Sequence, residues 1–94
     1  DFFSLVRHNK VTEVDGMLAG GFPIDKRDGF GNTCLMVAAQ NGHKRIVKMA
    51  LKYQADPNST NHHGNTSLHF ATSYGYSALS KYLIGHGADD TLMN

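Results

Sequence analysis

The chain has 94 residues, 40% of them apolar, and its 9 Lys and Arg nearly cancel its 8 Asp and Glu for a formal net charge of +1. That length suits one small domain, and near-neutrality gives no general attraction to nucleic acid or to an anionic membrane. No run approaches the ~18 apolar residues of a membrane-spanning helix, and Asp1-Phe2-Phe3 does not open a cationic-then-apolar leader. The single cysteine, Cys34, has no mate for an internal disulfide, which points to a reducing, intracellular compartment, cytoplasm or nucleus.

Residues 1–27 scan as a worn helix pair, with Phe2, Leu5 and Val6 on one stripe, Asn9 at the turn, and Val14 and Leu18 on the other. In residues 28–60, Thr33 is placed to N-cap a helix from Cys34 through Asn41, and Gly42 to end it in a left-handed turn. Ile46, Val47, Ala50 and Leu51 then form the apolar stripe of a second helix, with Lys44, Lys48 and Lys52 opposite. The stretch Ala55 to Gly64, rich in Asn, Pro, Asp and Gly, suits an extended finger with a tight turn. Residues 61–94 repeat the scheme: Thr66 opens a helix reaching Tyr74, Gly75 breaks it, and a second helix runs from about Ser77 to Ile84 before Gly85-His86-Gly87-Ala88-Asp89.

The last two units are one 33-residue pattern written twice. Gly31, Asn32, Thr33, Leu35, Ala38, Gly42, Lys48, Ala55 and Asp56 all recur unchanged one period later. Helices of eight to ten residues do not persist alone in water, so each pair must be sheltered by its neighbour. The expected shared core is Leu5, Val6, Val14, Leu18, Leu35, Ala38, Ala39, Ile46, Val47, Leu51, Leu68, Ala71, Leu79, Leu83 and Ile84. Apolar Leu79, Leu83 and Leu92 give the carboxyl-terminal unit no polar outer face, and the chain has no initiator Met. It is expected to be a fragment whose parent continues past Asn94 with further repeats or another domain.

Asp28, Gly31, Thr33, Leu35, Ala38, Ala39, Gly42, His43, Ile46, Val47, Leu51, Ala55, Asp56 and Asn58 follow a familiar order. Gly64, Thr66, Leu68, His69, Ala71, Gly75, Leu83, Ile84, Gly87, Ala88 and Asp89 follow it again. Across essentially the whole chain this resembles the ankyrin repeat. The resemblance implies an all-α, ankyrin-repeat solenoid: one domain over 1–94 of stacked antiparallel helix pairs joined by β-hairpin-like fingers. Its units are the degraded repeat 1–27, the repeat 28–60, and a repeat 61–94 truncated at its end. Departures from the family pattern are Cys34 and Ser67 for proline, Met36 for the histidine that pairs with the threonine hydroxyl, and Gln54 for glycine. A left-handed Gln54 would carry roughly 1–2 kcal/mol of strain and soften the middle unit.

Six histidines raise the question of chemistry. His43, His69 and His86 fall on structural positions of the pattern. His62 and His63 stand at a finger tip, where adjacent side chains of an extended strand diverge, and no carboxylate or thiol lies at ligand spacing. Cys34 lacks an orienting acid and an oxyanion-binding turn for nucleophilic work. Gly29-Phe30-Gly31 and Gly85-His86-Gly87 lack the context of a phosphate loop, and the acceptor patterns at Asn58 and Asn65 matter only in the secretory route. No cofactor, metal or catalytic residue is therefore expected, and the chain reads as a non-enzyme.

A surface remains. In ankyrin-like stacks the fingers and first helices line a concave groove, and the resemblance implies another protein as partner. Positions that the repeat leaves free there include Arg7, His8, Arg27, Phe30, Asn32, Gln40, Asn41, His62, His63, Asn65, Ser73 and Tyr74. Aromatic and Arg anchors among amides suit protein recognition, with Phe30 as the main anchor and Tyr74 second. The expected function is a scaffold or adaptor module; the alternative is a regulatory segment of a larger enzyme or channel. Lys44, Arg45, Lys48, Lys52 and Lys81 form a basic ridge on the convex side, read as a solvated face, with no nucleic acid expected.

Overall fold

The computed structural model describes residues 1–91, so Leu92 and the end of the third unit lie outside the described residues. Among those residues there are six helices and no strands: α1 Phe2–Arg7, α2 Val11–Ala19, α3 Cys34–Gln40, α4 Lys44–Lys52, α5 Ser67–Ser73 and α6 Ser77–Gly85. Each first helix packs on its own second helix, and α3 also packs on both α1 and α5.

The first helices of the three units start on side-chain caps. Asp1 Oδ1 accepts from Ser4 N at 2.9 Å, Thr33 Oγ1 from Met36 N at 3.4 Å, and Thr66 Oγ1 from His69 N at 3.2 Å. At Thr66 the cap is reciprocal, since Thr66 N donates to His69 Nδ1 at 2.9 Å. Met36 cannot return that bond, so α3 starts on the weaker half of the motif.

The repeat is written in the backbone as well. Lys10 N donates to Leu5 O, His43 N to Ala38 O and Tyr76 N to Ala71 O, each at 2.9 Å and each one period from the next. These bonds close the turns at Asn9 (φ 56°), Gly42 (φ 69°) and Gly75 (φ 73°). The second helices end the same way, through Phe22 N to Met17 O, Ala55 N to Ala50 O and Ala88 N to Leu83 O, each at 3.0 Å. The residue before that bond is left-handed every time: Gly21 at φ 104°, Gln54 at 73° and Gly87 at 103°. Gln54 thus adopts the left-handed conformation in which strain was expected.

The core follows the apolar stripes. Val6, Val14, Leu18, Leu35, Ala38, Ala39, Ile46, Val47, Leu68, Ala71, Leu79 and Leu83 are buried as expected. Leu5 and Leu51 are only half-buried, and Ile84 is 44% exposed, the last because among the described residues α6 packs principally on α5 with no helix on its far side. Cys34 through Ala39 are all buried, since α3 is flanked on both sides. Fully buried Ala38 and Ala71 keep α3 and α5 close.

The pairs are joined by turns at the places where β-hairpin-like fingers were expected, and no strand is formed among the described residues. Asp28 N donates to Asn32 O at 2.9 Å, and one period later Asn61 N donates to Asn65 O at 3.0 Å. Two bridges carry one unit to the next on the helix side. His43 Nε2 donates to Arg7 O at 2.8 Å, and its counterpart Tyr76 Oη reaches Gln40 O at 3.5 Å. No helix among the described residues is long and apolar enough to cross a membrane.

Candidate functional site

The turn after residue 27 is built around one carboxylate. Asp28 Oδ1 accepts from Phe30 N and Asn32 N, both at 2.9 Å, which fixes the backbone under Phe30. Asn61 does the same one period later, its Oδ1 accepting from His63 N at 2.9 Å and Asn65 N at 3.0 Å. The two turns are then tied together. His62 N donates to Phe30 O at 3.2 Å, Asn61 Nδ2 to Asn32 Oδ1 at 2.9 Å, and Arg27 Nη1 to both Gly31 O at 2.7 Å and Thr60 O at 2.8 Å. Gly31 is left-handed at φ 80°, and a Cβ there would stand 2.5 Å from the His62 ring, so the turns approach as closely as they do only because residue 31 has no side chain.

Between these turns and the first helices lies a groove of about 350 Å³. Arg7, Phe30, Asn32, Gln40, His63 and Asn65 of the expected surface line it, joined by Asp28, Val37, Asn61 and Phe70. A smaller lobe of about 250 Å³ shares Asn65 and Phe70 and is lined further by His69, Ser73 and Tyr74. Val37 and Phe70, one period apart, form the apolar floor. They had been passed over because the expected groove was drawn from polar and aromatic surface positions; their equivalence in the repeat was the available signal.

Four of the expected residues line neither cavity. His8 Nδ1 donates to Ser4 O at 2.8 Å and Asn41 Nδ2 to Val37 O at 2.8 Å, so both fold back on α1 and α3. Arg27 is engaged in tying the turns, and His62 lies against Gly31. Asn32, expected to be a free surface amide, is 9% exposed with its Oδ1 engaged by Asn61. At the other extreme Phe30 is 68% and Tyr74 55% exposed, the latter stacked on Tyr76 at 6.0 Å.

Burial pushes the Cys34 thiol up to about 12, so it is protonated at neutral pH. Among the described residues no three His, Cys, Asp or Glu side chains are grouped to hold a metal ion. The groove's formal charges are Arg7 and Asp28, and its chemistry is that of a surface that can rest on apolar groups and exchange hydrogen bonds.

A family model of ankyrin repeats in three copies matches residues 3–94, and the chain belongs to the ankyrin repeat family. It is 39% identical over 94 residues to protein phosphatase 1 regulatory subunit 27 of Mus musculus, covering 99% of this chain and 61% of that protein. It is 39% identical over 66 residues to a palmitoyltransferase of Lachancea kluyveri, covering 70% of this chain and 9% of that protein. Ankyrin repeat domain-containing protein 63 of Mus musculus is 29% identical over 72% of this chain and 17% of its own length. The chain thus spans less than two thirds of each of these relatives.

Proposed function

We propose that the chain is a non-catalytic protein-interaction module, a short solenoid whose finger-like turns and first helices present a concave groove to a partner protein. The observation that carries this is Phe30: an aromatic ring left 68% exposed on a turn locked by three hydrogen bonds, from Phe30 N and Asn32 N to Asp28 Oδ1 and from His62 N to the Phe30 carbonyl. An exposed ring on a preformed frame binds with little ordering cost, and Tyr and Arg groups beside amides are the residue types on which interface affinity concentrates. Arg7, His63 and Asn65 supply hydrogen bonds around it, and Val37 with Phe70 an apolar floor. Ankyrin repeats generally serve protein binding. The unpaired Cys34 favours a reducing, intracellular setting.

Affinity purification with mass spectrometry on the intact protein identifies the partner, and calorimetry with that partner purified tests the groove. Phe30→Ala is expected to weaken binding at least about tenfold, equivalent to ~1.4 kcal/mol, and unchanged affinity would overturn the reading.

A second reading rests on similarity to a protein named as a phosphatase regulatory subunit over 99% of the chain. In it the groove's partner is an enzyme whose activity changes on binding, either a separate polypeptide or another part of the same one. An identified partner with no catalytic activity would remove it.

A further inference from the structure

On the convex side a second groove of about 570 Å³ runs between α2 and α4, with Val11, Thr12 and Asp15 on one wall and Arg45, Lys48, Met49 and Lys52 on the other. Val11 and Met49 make its half-buried apolar floor. Three cations face one carboxylate, and Asp15 Oδ1 already accepts from Tyr53 Oη at 2.9 Å. Lys48 also lies 5.4 Å from the centroid of the Tyr82 ring on α6, with Lys44 5.7 Å from the same ring, so the aromatic face orients both ammonium groups.

The repeat frame carries only one of these charges forward, Lys48, which recurs as Lys81. Where α4 has Arg45, Lys48 and Lys52, the preceding period has Thr12, Asp15 and Ala19, and the following one has Ala78, Lys81 and Gly85. Helices form at all three places, so Arg45 and Lys52 are particular to this groove, while Lys48 has one cationic equivalent, Lys81. The unit 28–60 carries Lys44, Arg45, Lys48 and Lys52 against Asp28 and Asp56, while 61–91 has only Lys81 against Asp89 and Asp90. A nucleic-acid backbone asks for cations continuing along the stack to meet successive phosphates, and here the cluster on α4 is followed on α6 by Lys81 alone.

We propose that the groove between α2 and α4 docks an acidic peptide segment of a partner protein. Carboxylates of that segment meet Arg45, Lys48 and Lys52, and the methylenes of its Glu side chains rest on Val11 and Met49. Lys48 and Lys52 are one helical turn apart, about 6 Å along the axis. That matches the ~6.6 Å between side chains on one face of an extended strand, so acidic residues at alternate positions bring each charge over a cation.

The test is fluorescence anisotropy of a short labelled peptide carrying Glu at alternate positions, beside its Gln counterpart and an oligothymidylate of equal charge. The Glu peptide is expected to bind at least about tenfold tighter than the Gln peptide, with affinity falling as salt rises. Lys48→Glu/Lys52→Glu removes that preference and Lys48→Gln/Lys52→Gln weakens it, both with cooperative thermal unfolding retained since the side chains are exposed. Phe30→Ala leaves it intact, because the concave groove is a different surface. Equal binding of the Glu and Gln peptides, or undiminished affinity in the charge-reversal variant, overturns the proposal. Tighter binding of the oligothymidylate, lost in the same variant, overturns it in favour of a nucleic-acid face.

Discussion

Asn61 Nδ2 donates to Asn32 Oδ1 at 2.9 Å, and through this bond two successive inter-helix turns share one buried amide pair. Asn61 also accepts from His63 N and Asn65 N, so both ends of its carboxamide are engaged. Asp28, its counterpart one period earlier, performs only the accepting half. Asn61→Asp therefore keeps the local turn but sets a carboxylate oxygen against Asn32 Oδ1 in a buried place. It should cost about 1–3 kcal/mol, lowering the melting temperature by ~4–8 °C per kcal/mol, whereas Asn65→Asp, at a half-buried position, should cost less. Differential scanning calorimetry of the two variants checks the order.

Gln54 adopts φ 73° where Gly21 and Gly87 stand at 104° and 103°. Gln54→Gly relieves the side-chain clash of the left-handed conformation, offset in part by the greater freedom glycine has when unfolded. A net gain of about 0.5–1 kcal/mol is expected in urea unfolding, and an equal or lower midpoint would contradict the strain at this position.

Much of this was legible from the 33-residue period: helix order, caps at Thr33 and Thr66, and the left-handed Gln54 all follow from aligning one unit on the next. What alignment does not carry is contact between positions that are not equivalents. Asn32 corresponds to Asn65, and Asn61 to Asp28, so nothing in the repeat pairs 32 with 61. Arg27 was expected at the partner surface as a position the repeat leaves free; its tie to two backbone carbonyls, one of them in the next turn, was not legible, because backbone acceptors leave no mark in side-chain identity. Ile84 read as core because its stripe is intact, yet burial depends on a neighbour that α6 lacks on that side among the described residues.

Cys34 should be silent to thiol reagents until the chain unfolds, because burial holds its pKa at about 12 against 9.0 in the unfolded state. The unfolded thiol ionises first. Its contribution to stability is complete below pH 9.0 and is lost progressively as pH rises toward about 12. Compared with Cys34→Ala, the wild-type chain should lose stability across that window, and parallel pH profiles for the two would sink the prediction.

Phe30→Ala and Tyr74→Ala test whether the two exposed rings are dispensable for folding. Phe30 touches the frame through its backbone bonds, so its truncation should shift unfolding by less than about 0.5 kcal/mol. Tyr74→Ala forfeits its stack on Tyr76 and should cost up to about 1 kcal/mol. Loss of cooperative unfolding in circular dichroism for either variant would place these rings in the core.

The ties from Arg27 to Thr60, Asn61 to Asn32 and His62 to Phe30 set a constant spacing between the two tips. Whatever lies across them meets a ruler with fixed graduations. A recognised segment can exchange one residue for another at modest cost, but a single inserted or deleted residue between its two points of contact throws it out of step, so length is the property such a frame discriminates most sharply.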